Sequence, residues 1–196
     1  MKILVIVATP SKTNFNFAIA ERAVSFLEEQ GHEVFFHDLY REKFPAILEL
    51  EEIPKDAALD PVIAKHCAEL TAADGVVIIH PNWWGQPPAI LKGWIDRIIR
   101  PGTAYNCEGK PGEVGEVIGL LAGKFGVVFT TGDTDTEREL SYFMDPLETL
   151  WKNCIFGFCG VEKFTRLHFN IVLTSSDEQR KSWLNEAEKV LKGYIS

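Results

Sequence analysis

Two adjacent tryptophans bracketed by prolines, Pro81-Asn82-Trp83-Trp84-Gly85-Gln86-Pro87-Pro88, are the residues of this 196-residue chain best suited to hold a flat aromatic ligand. Their π-faces offer stacking, and the glycine beside them permits close backbone approach. Two other stretches carry polar chemistry. Thr9-Pro10-Ser11-Lys12-Thr13-Asn14-Phe15-Asn16 gathers hydroxyls, amides and a lysine where a helix begins. Backbone N–H groups and the helix dipole at such a place favour an anion, for instance a phosphate. Thr130-Thr131-Gly132-Asp133 is a polar turn able to present backbone donors. Two of the three stretches also have a plainer explanation. Tryptophans serve cores and dimer contacts, and Asn14 suits an ordinary helix N-cap.

The elements around these stretches decide whether they meet. Ile3 to Ala8, Glu33 to Leu39, Gly75 to His80, Lys124 to Thr130 and a segment near Glu162 to His168 are short apolar runs rich in β-branched or aromatic residues. Such runs suit strands buried on both faces of a parallel sheet. Helical periodicity marks Phe15 to Gln30, closed by Gly31, and a segment from Asp60-Pro61 to about Ala73. It also marks the run from Ala89 to Ile99 and the amphipathic close from Asp177 to Ile195. Glu137 to Lys152 is expected to be helical with a break or kink at Pro146. Tyr40 to Leu59 is expected to be a long loop with room for a helical turn, and the glycine-rich Pro101 to Lys124 an exposed loop or excursion. Strand–helix alternation of this kind predicts a doubly wound, flavodoxin-like α/β fold. It has a five-stranded parallel sheet in the order 2-1-3-4-5, with helices on both faces. The whole chain, 1–196, is then one domain, with 101–123 as a loop excursion near the site.

In that topology the loops after the first, third and fourth strands lie side by side at the carboxyl edge of the sheet, where ligands bind. A phosphate cradle beside an aromatic wall and a glycine turn suits a phosphorylated, flat, aromatic ligand, and a flavin fits best. Neither GxxxxGK[ST] nor GxGxxG follows the first strand, which argues against a P-loop or a dinucleotide Rossmann domain.

Composition narrows the alternatives. A formal net charge of −8 argues against nucleic acid or an anionic membrane surface as the general partner. Cys67, Cys107, Cys154 and Cys159 are scattered without zinc-ligand spacing, and no metal is expected. His80 is expected to be a packed histidine, and His32, His37, His66 and His168 form no ligand pattern along the chain. The acidic group Glu49, Glu51, Glu52 and Asp56 is expected to be a solvated loop. The first apolar run is too short for a signal peptide and no stretch is long enough to insert in a membrane, so a cytoplasmic location is expected.

With those residues in view, the chain resembles the NAD(P)H:quinone oxidoreductase family of flavodoxin-like flavoproteins. Thr13-Asn14-Phe15-Asn16-Phe17-Ala18 is similar to that family's T-S-F-N-Y-A flavin-phosphate loop. Pro81-Asn82-Trp83-Trp84 with Pro88-Ala89-Ile90-Leu91-Lys92-Gly93-Trp94 is similar to its P-x-x-W…PAILKGW stretch, the most specific of the three. Thr130-Thr131-Gly132 is similar to its T-T-G-G turn.

The resemblance implies site residues. Thr9, Ser11, Asn14, Phe15 and Asn16 would hold the flavin phosphate and ribityl chain. Pro81, Asn82, Trp83, Trp84 and Gly85 would line the ring, and Thr130, Thr131, Gly132 and Asp133 its pyrimidine edge. Tyr105 would stand at the mouth of the substrate pocket. It also implies hydride transfer from NAD(P)H through the flavin to a quinone or similar acceptor by ping-pong kinetics, in a homodimer. The short chain favours FMN over FAD. Three departures are visible. Thr9 stands where the mammalian members have a histidine, Asp133 replaces the second glycine of the turn, and Glu137 and Phe143 stand near the positions of their Tyr/His pair. No catalytic general acid is assigned. A flavodoxin-like electron carrier and a flavin-binding regulatory subunit, such as those of potassium efflux systems, are the alternative readings.

Overall fold

A computed structural model describes residues 1–109 and 115–195. In chain order the strands are β1 (Lys2–Val7), β2 (Glu33–Asp38), β3 (Gly75–Pro81), β4 (Tyr105–Glu108), β5 (Glu116–Gly119), β6 (Phe125–Thr131) and β7 (Lys163–Phe169). The helices are α1 (Phe15–Glu29), α2 (Pro61–Ala72), α3 (Ala89–Ile98), α4 (Thr136–Ser141), α5 (Pro146–Glu148) and α6 (Asp177–Ile195). Five strands form one sheet in the order β2-β1-β3-β6-β7, and every pairing in it is parallel. The two strands that intervene in the numbering, β4 and β5, pair antiparallel with each other in a separate hairpin.

Successive side chains of a strand face opposite sides of a sheet, and the two cores divide accordingly. Ile3, Val5 and Val7 pack with α1 and α6 through Phe17, Ile19, Leu27, Ala187 and Leu191. Leu4 and Ile6 pack on the other side with α2 and α3 through Ile63, Leu70, Leu91 and Trp94. Strands covered on both faces need apolar residues at consecutive positions. That is why β1, β3 and β6 read as continuous apolar runs. The register carries His80 beside Thr130 and Pro81 beside Thr131, so β3 and β6 end together at the carboxyl edge. Thr131 pairs in turn with Phe169 of β7.

Three segments differ from the sequence expectations. The glycine-rich 101–124 region is not simply a loop, because it contains the β4–β5 hairpin. Gly119 lets that hairpin lie on the Cys159 backbone, where an added Cβ would sit 2.3 Å from the Cys159 carbonyl carbon. Residues 110–114 of the excursion lie outside the described residues.

The expected helix over 137–152 is divided. After α4, Met144 and Asp145 adopt left-handed backbone with φ of 61° and 44°. The chain then restarts at α5 and runs into a π-helical segment, Thr149–Gly157. Pro146 opens α5 because a first-turn proline forfeits no helical hydrogen bond.

Nor is the acidic segment wholly solvated. Glu52, in the 3₁₀ turn Leu50–Glu52, is only 7% exposed, and both of its carboxylate oxygens accept from the Arg97 guanidinium of α3. Arg97 also donates to the Pro45 carbonyl, and Arg100 donates to the carbonyls of Glu52 and Pro54, each at 2.8 Å. Two arginines from one helix end thus pin a loop that has little regular hydrogen bonding of its own. Among the described residues no helix is long and apolar enough to cross a membrane.

Candidate active site

The first loop is organised by Asn14. As N-cap of α1 it accepts the Phe17 N–H at 3.1 Å, and its side-chain amide donates to the hydroxyl of the buried Thr9. Ser11 accepts the Thr13 N–H at 3.1 Å and shares a hydroxyl–hydroxyl contact with Thr13 at 2.9 Å. In the first turn of the helix, Asn16 is 4% exposed and makes a reciprocal pair with Thr131. Its amide donates at 2.8 Å and its carbonyl accepts at 3.1 Å. This pair locks the start of α1 to the end of β6 and closes the floor between the first and fourth loops of the sheet.

After β3 the chain reverses at once. Trp83 and Gln86 exchange two backbone hydrogen bonds, each 3.0 Å. The two residues between them, Trp84 and Gly85, have φ of 59° and 71°, the pattern of a type I′ turn. Asn82 stabilises the reversal by accepting the Gly85 N–H at 2.9 Å, while its own N–H donates to the Thr131 carbonyl at 2.7 Å. Glycine is at home at such a φ, whereas tryptophan is not. Trp84 nevertheless occupies it and is 100% exposed, while Trp83 is 43% exposed.

These loops enclose one cleft with two parts. The first, about 420 Å³, is lined by Asn14, Phe15, Asn16, Pro81, Asn82, Trp83, Thr131, Gly132 and Asp133, with Val172 and Leu173 from the loop after β7. The second, about 470 Å³, shares Asn82, Gly132 and Asp133 with it and adds Trp84, Gly85, Glu139, Phe143 and Pro146. Thr134 lines both parts. Past Phe15 the surface continues into a third hollow that reaches Arg180 and Lys181 of α6. Of the fifteen residues singled out from sequence, eleven line the first two parts.

The other four are placed differently. Thr9 lies buried beneath Asn14, and Ser11 sits in the loop outside the cleft lining. Thr130, next to Thr131 on a strand, faces the opposite side of the sheet and contacts His168 at 2.8 Å. Tyr105 lies in a separate depression with Leu48, Ile53 and Arg100, packed edge-on to Phe158 at 5.0 Å. One expected donor is also committed elsewhere: the Gly132 N–H bonds to the Phe169 carbonyl at 3.0 Å.

The residues missed from sequence are Thr134, Glu139, Pro146, Val172 and Leu173. Only the break signal at Pro146 hinted that this stretch would turn back over the cleft. Glu139 is the most consequential. It is 4% exposed, and its Oε1 accepts from the Asn82 amide at 2.9 Å.

Behind the cleft floor lies a buried polar layer. Arg166 of β7 donates to Glu148 and Thr130, each at 3.1 Å, and pairs with Asp145. His80 is fully buried, accepts the Trp151 indole N–H at Nε2 (3.0 Å) and contacts the Pro81 carbonyl through Nδ1 at 2.8 Å. It is a packed histidine, as its place at the end of a buried strand suggested.

Burial pushes the His80 pKa down to about 4, with Arg166 and His168 repelling its charged form. Burial and Arg166 do the same to His168, also to about 4. Both groups bind protons more readily unfolded, so stability is full above about pH 6.5 and declines as pH falls toward 4. Each contributes a loss on the order of 3 kcal/mol across that window. Urea melts at pH 7.5, 6 and 5 should show the decline, and His168→Gln should flatten about half of it. A midpoint independent of pH would contradict the assignment.

The histidines that looked scattered are not all apart. His37 and His66 lie against each other with ring centroids 3.8 Å apart and planes tilted by 32°. His37 faces Glu42 at 2.9 Å through Nδ1 and Glu69 at 2.6 Å through Nε2. Burial pulls its pKa down, but the two carboxylates outweigh this and hold it above the ordinary value. Glu42 is held down to about 2: burial opposes ionisation, and bonds to His37 and His66 overcome it. The Trp94 indole N–H donates to His66 Nδ1 at 3.0 Å, which leaves the proton of His66 on Nε2, toward Glu42. The cluster therefore holds protons, and that tautomer withholds from a metal the His66 nitrogen facing Glu42.

Comparison with known proteins agrees with this architecture. Residues 1–192 match the model of a family described by its flavodoxin-like fold. An uncharacterised NAD(P)H oxidoreductase of Haemophilus influenzae is 32% identical over 191 residues, covering 95% of this chain and 92% of that one. The ribosyldihydronicotinamide dehydrogenase [quinone] of Rattus norvegicus is 29% identical over 224 residues, with 97% and 92% covered. Among solved structures, the NAD(P)H:quinone oxidoreductase of Methanothermobacter marburgensis superposes with a TM-score of 0.80 at 25% identity, covering 96% of this chain and 94% of that one.

Proposed function

Because this chain belongs to the NAD(P)H:quinone oxidoreductase family of flavodoxin-like proteins, we propose that it is a flavin-dependent enzyme that uses NAD(P)H to reduce quinones or related flat electrophiles by two electrons. The overall change is NAD(P)H + H⁺ + quinone giving NAD(P)⁺ and hydroquinone. The observation that carries this reading is the continuous cleft at the carboxyl ends of β1, β3 and β6. It joins a helix N-terminus, an exposed tryptophan turn and a glycine turn. Volumes of about 420 and 470 Å³ are in the range of pockets that hold a ligand of this size.

The residues fit a flavin mononucleotide in a definite sense. The α1 N-terminus with Thr13 and the neighbouring Lys12 suits the phosphate, and the Asn16–Thr131 pair forms the floor beside it. Trp83 and the type I′ turn wall the ring, and the amides that follow Gly132 suit its polar edge, since Gly132 itself is engaged. A bound flavin would supply the hydride chemistry. The protein's part is to orient two flat reactants in turn, exclude water with Trp83, Phe143 and Pro146, and keep the turns rigid. Ping-pong kinetics follow if donor and acceptor use one face. Tyr105, remote from the cleft of its own chain, serves a site only where a second copy brings it there, which fits the proposed homodimer.

The test is the visible spectrum of the purified protein after reconstitution with FMN or FAD, before and after anaerobic NADH or NADPH. A bound flavin that bleaches rapidly and reoxidises with a quinone supports the enzyme. A flavin that binds but is not bleached overturns it in favour of a carrier or regulator. Trp83→Ala should weaken FMN binding by about tenfold, the scale of one lost aromatic contact, read by fluorescence titration.

A further inference from the structure

The geometry points to Glu139 as the residue that sets acceptor choice, making the cleft select uncharged or cationic aromatic acceptors over anionic ones. This rests on the oxidoreductase reading above.

Glu139 is held in place from both sides. Its Oε1 accepts from the Asn82 amide at 2.9 Å, and Asn82 in turn accepts the Gly85 N–H at 2.9 Å. The Glu139 carbonyl accepts the Asp145 N–H at 3.0 Å, which fixes the backbone as well. Swinging the carboxylate away would break this bond and leave the half-buried Asn82 amide without its partner. The charge therefore stays in the cleft wall.

Its surroundings leave that charge uncompensated. No lysine or arginine is among the described residues lining either part of the cleft, while Asp133 adds a second carboxylate at the rim. Neither Arg166 nor Arg138 lines the cleft. Arg166 is paired with Asp145 and Glu148 behind the floor, and Arg138 packs over the rings of Tyr142 and Phe143. Trp84, Phe143 and Pro146, the apolar part of this wall, supply no counter-charge. A charge fixed in such a wall acts on a ligand's charge more strongly than a solvated one. An anionic substituent on an acceptor is repelled there, and a cationic one is attracted.

Glu139→Gln is the informative variant, because its amide oxygen still accepts from Asn82 and only the charge is lost. The holoprotein is reduced photochemically without nucleotide and mixed with 1,2-naphthoquinone or its 4-sulfonate. The reoxidation rate constant for each is then measured. Intrinsic reactivity differs between the two quinones but cancels when the ratio is compared between proteins. Glu139→Gln should raise the sulfonate-to-parent ratio by about tenfold, with the effect smaller at high salt. Glu137→Gln, an exposed change on the same helix, should leave the ratio alone. An unchanged ratio in Glu139→Gln overturns the inference while the enzyme reading stands.

If no flavin binds, the enzyme reading has failed and the charge argument is tested separately on the apoprotein. A non-reducible cation, N-methylacridinium, and an anion, naphthalene-1-sulfonate, are titrated against tryptophan fluorescence. Tighter binding of the cation, reduced in Glu139→Gln, supports charge selection by Glu139. Equal binding of the two probes overturns it.

Discussion

Arg97→Ala is expected to lower the free energy of unfolding by about 3–5 kcal/mol, the largest stability effect anticipated for a single side chain in this protein. Arg97 is 4% exposed and Glu52 is 7% exposed. Removing the guanidinium strands a largely buried carboxylate without its partner and frees the Pro45 carbonyl. For a chain of this length that corresponds to a fall in melting temperature of about 6–20 °C. The double variant Glu52→Leu/Arg97→Met should recover most of the loss, because replacing both partners removes the stranded charge. Urea unfolding of the three proteins checks this. A loss below about 1 kcal/mol in the single variant would mean that the pair is solvated in solution. Flavin affinity of the folded fraction should be unchanged, since neither residue lines the cleft.

Arg166→Met should harm stability and site together. Arg166 holds Asp145, Glu148 and Thr130 at once. Asp145 caps α5 by accepting the Glu148 N–H at 3.3 Å and sits in left-handed backbone, an unfavourable state that its partners sustain. Without the guanidinium, the carboxylates of Asp145 and Glu148 face each other uncompensated, and the turn carrying Phe143 and Pro146 loosens. The expected outcome is about 3 kcal/mol of lost stability and flavin binding weaker by about tenfold or more. A third consequence separates this from general damage. Arg166 repels the protonated forms of His80 and His168, so its removal lets both pKa values rise and makes the acid loss of stability shallower. Flavin titration and urea melts at pH 7.5 and 5 read all three effects. Wild-type affinity with an unchanged pH profile would show that the network does not support the cleft.

What could be read from the amino-acid sequence was whatever is encoded locally. Ile3 to Val7, Gly75 to Ile79 and Phe125 to Phe129 are buried on both faces, so they carry no polar side chain and announce themselves as strands. Asn14 caps α1 through a contact three residues away, and Pro146 marks a break because it has no N–H to give a helix interior. Once three strands of a parallel sheet were recognised, crossover geometry brought their following loops to one edge.

What depended on distance in sequence was decided only by the tertiary structure. Thr130 and Thr131 are indistinguishable as a pair of letters, yet the two-residue strand period sends one behind the sheet and the other into the cleft. Glu52 resembles its solvated neighbours until Arg97, 45 residues on, covers it. His37 and His66 meet only because β2 and α2 pack together. Glu139 gains its place through Asn82, 57 residues earlier, and a left-handed turn at Met144 and Asp145 that no glycine marks. Local preferences act over a few residues and leave their pattern in the sequence. Burial, pairing and charge compensation act through space, so they exist only once the chain has folded.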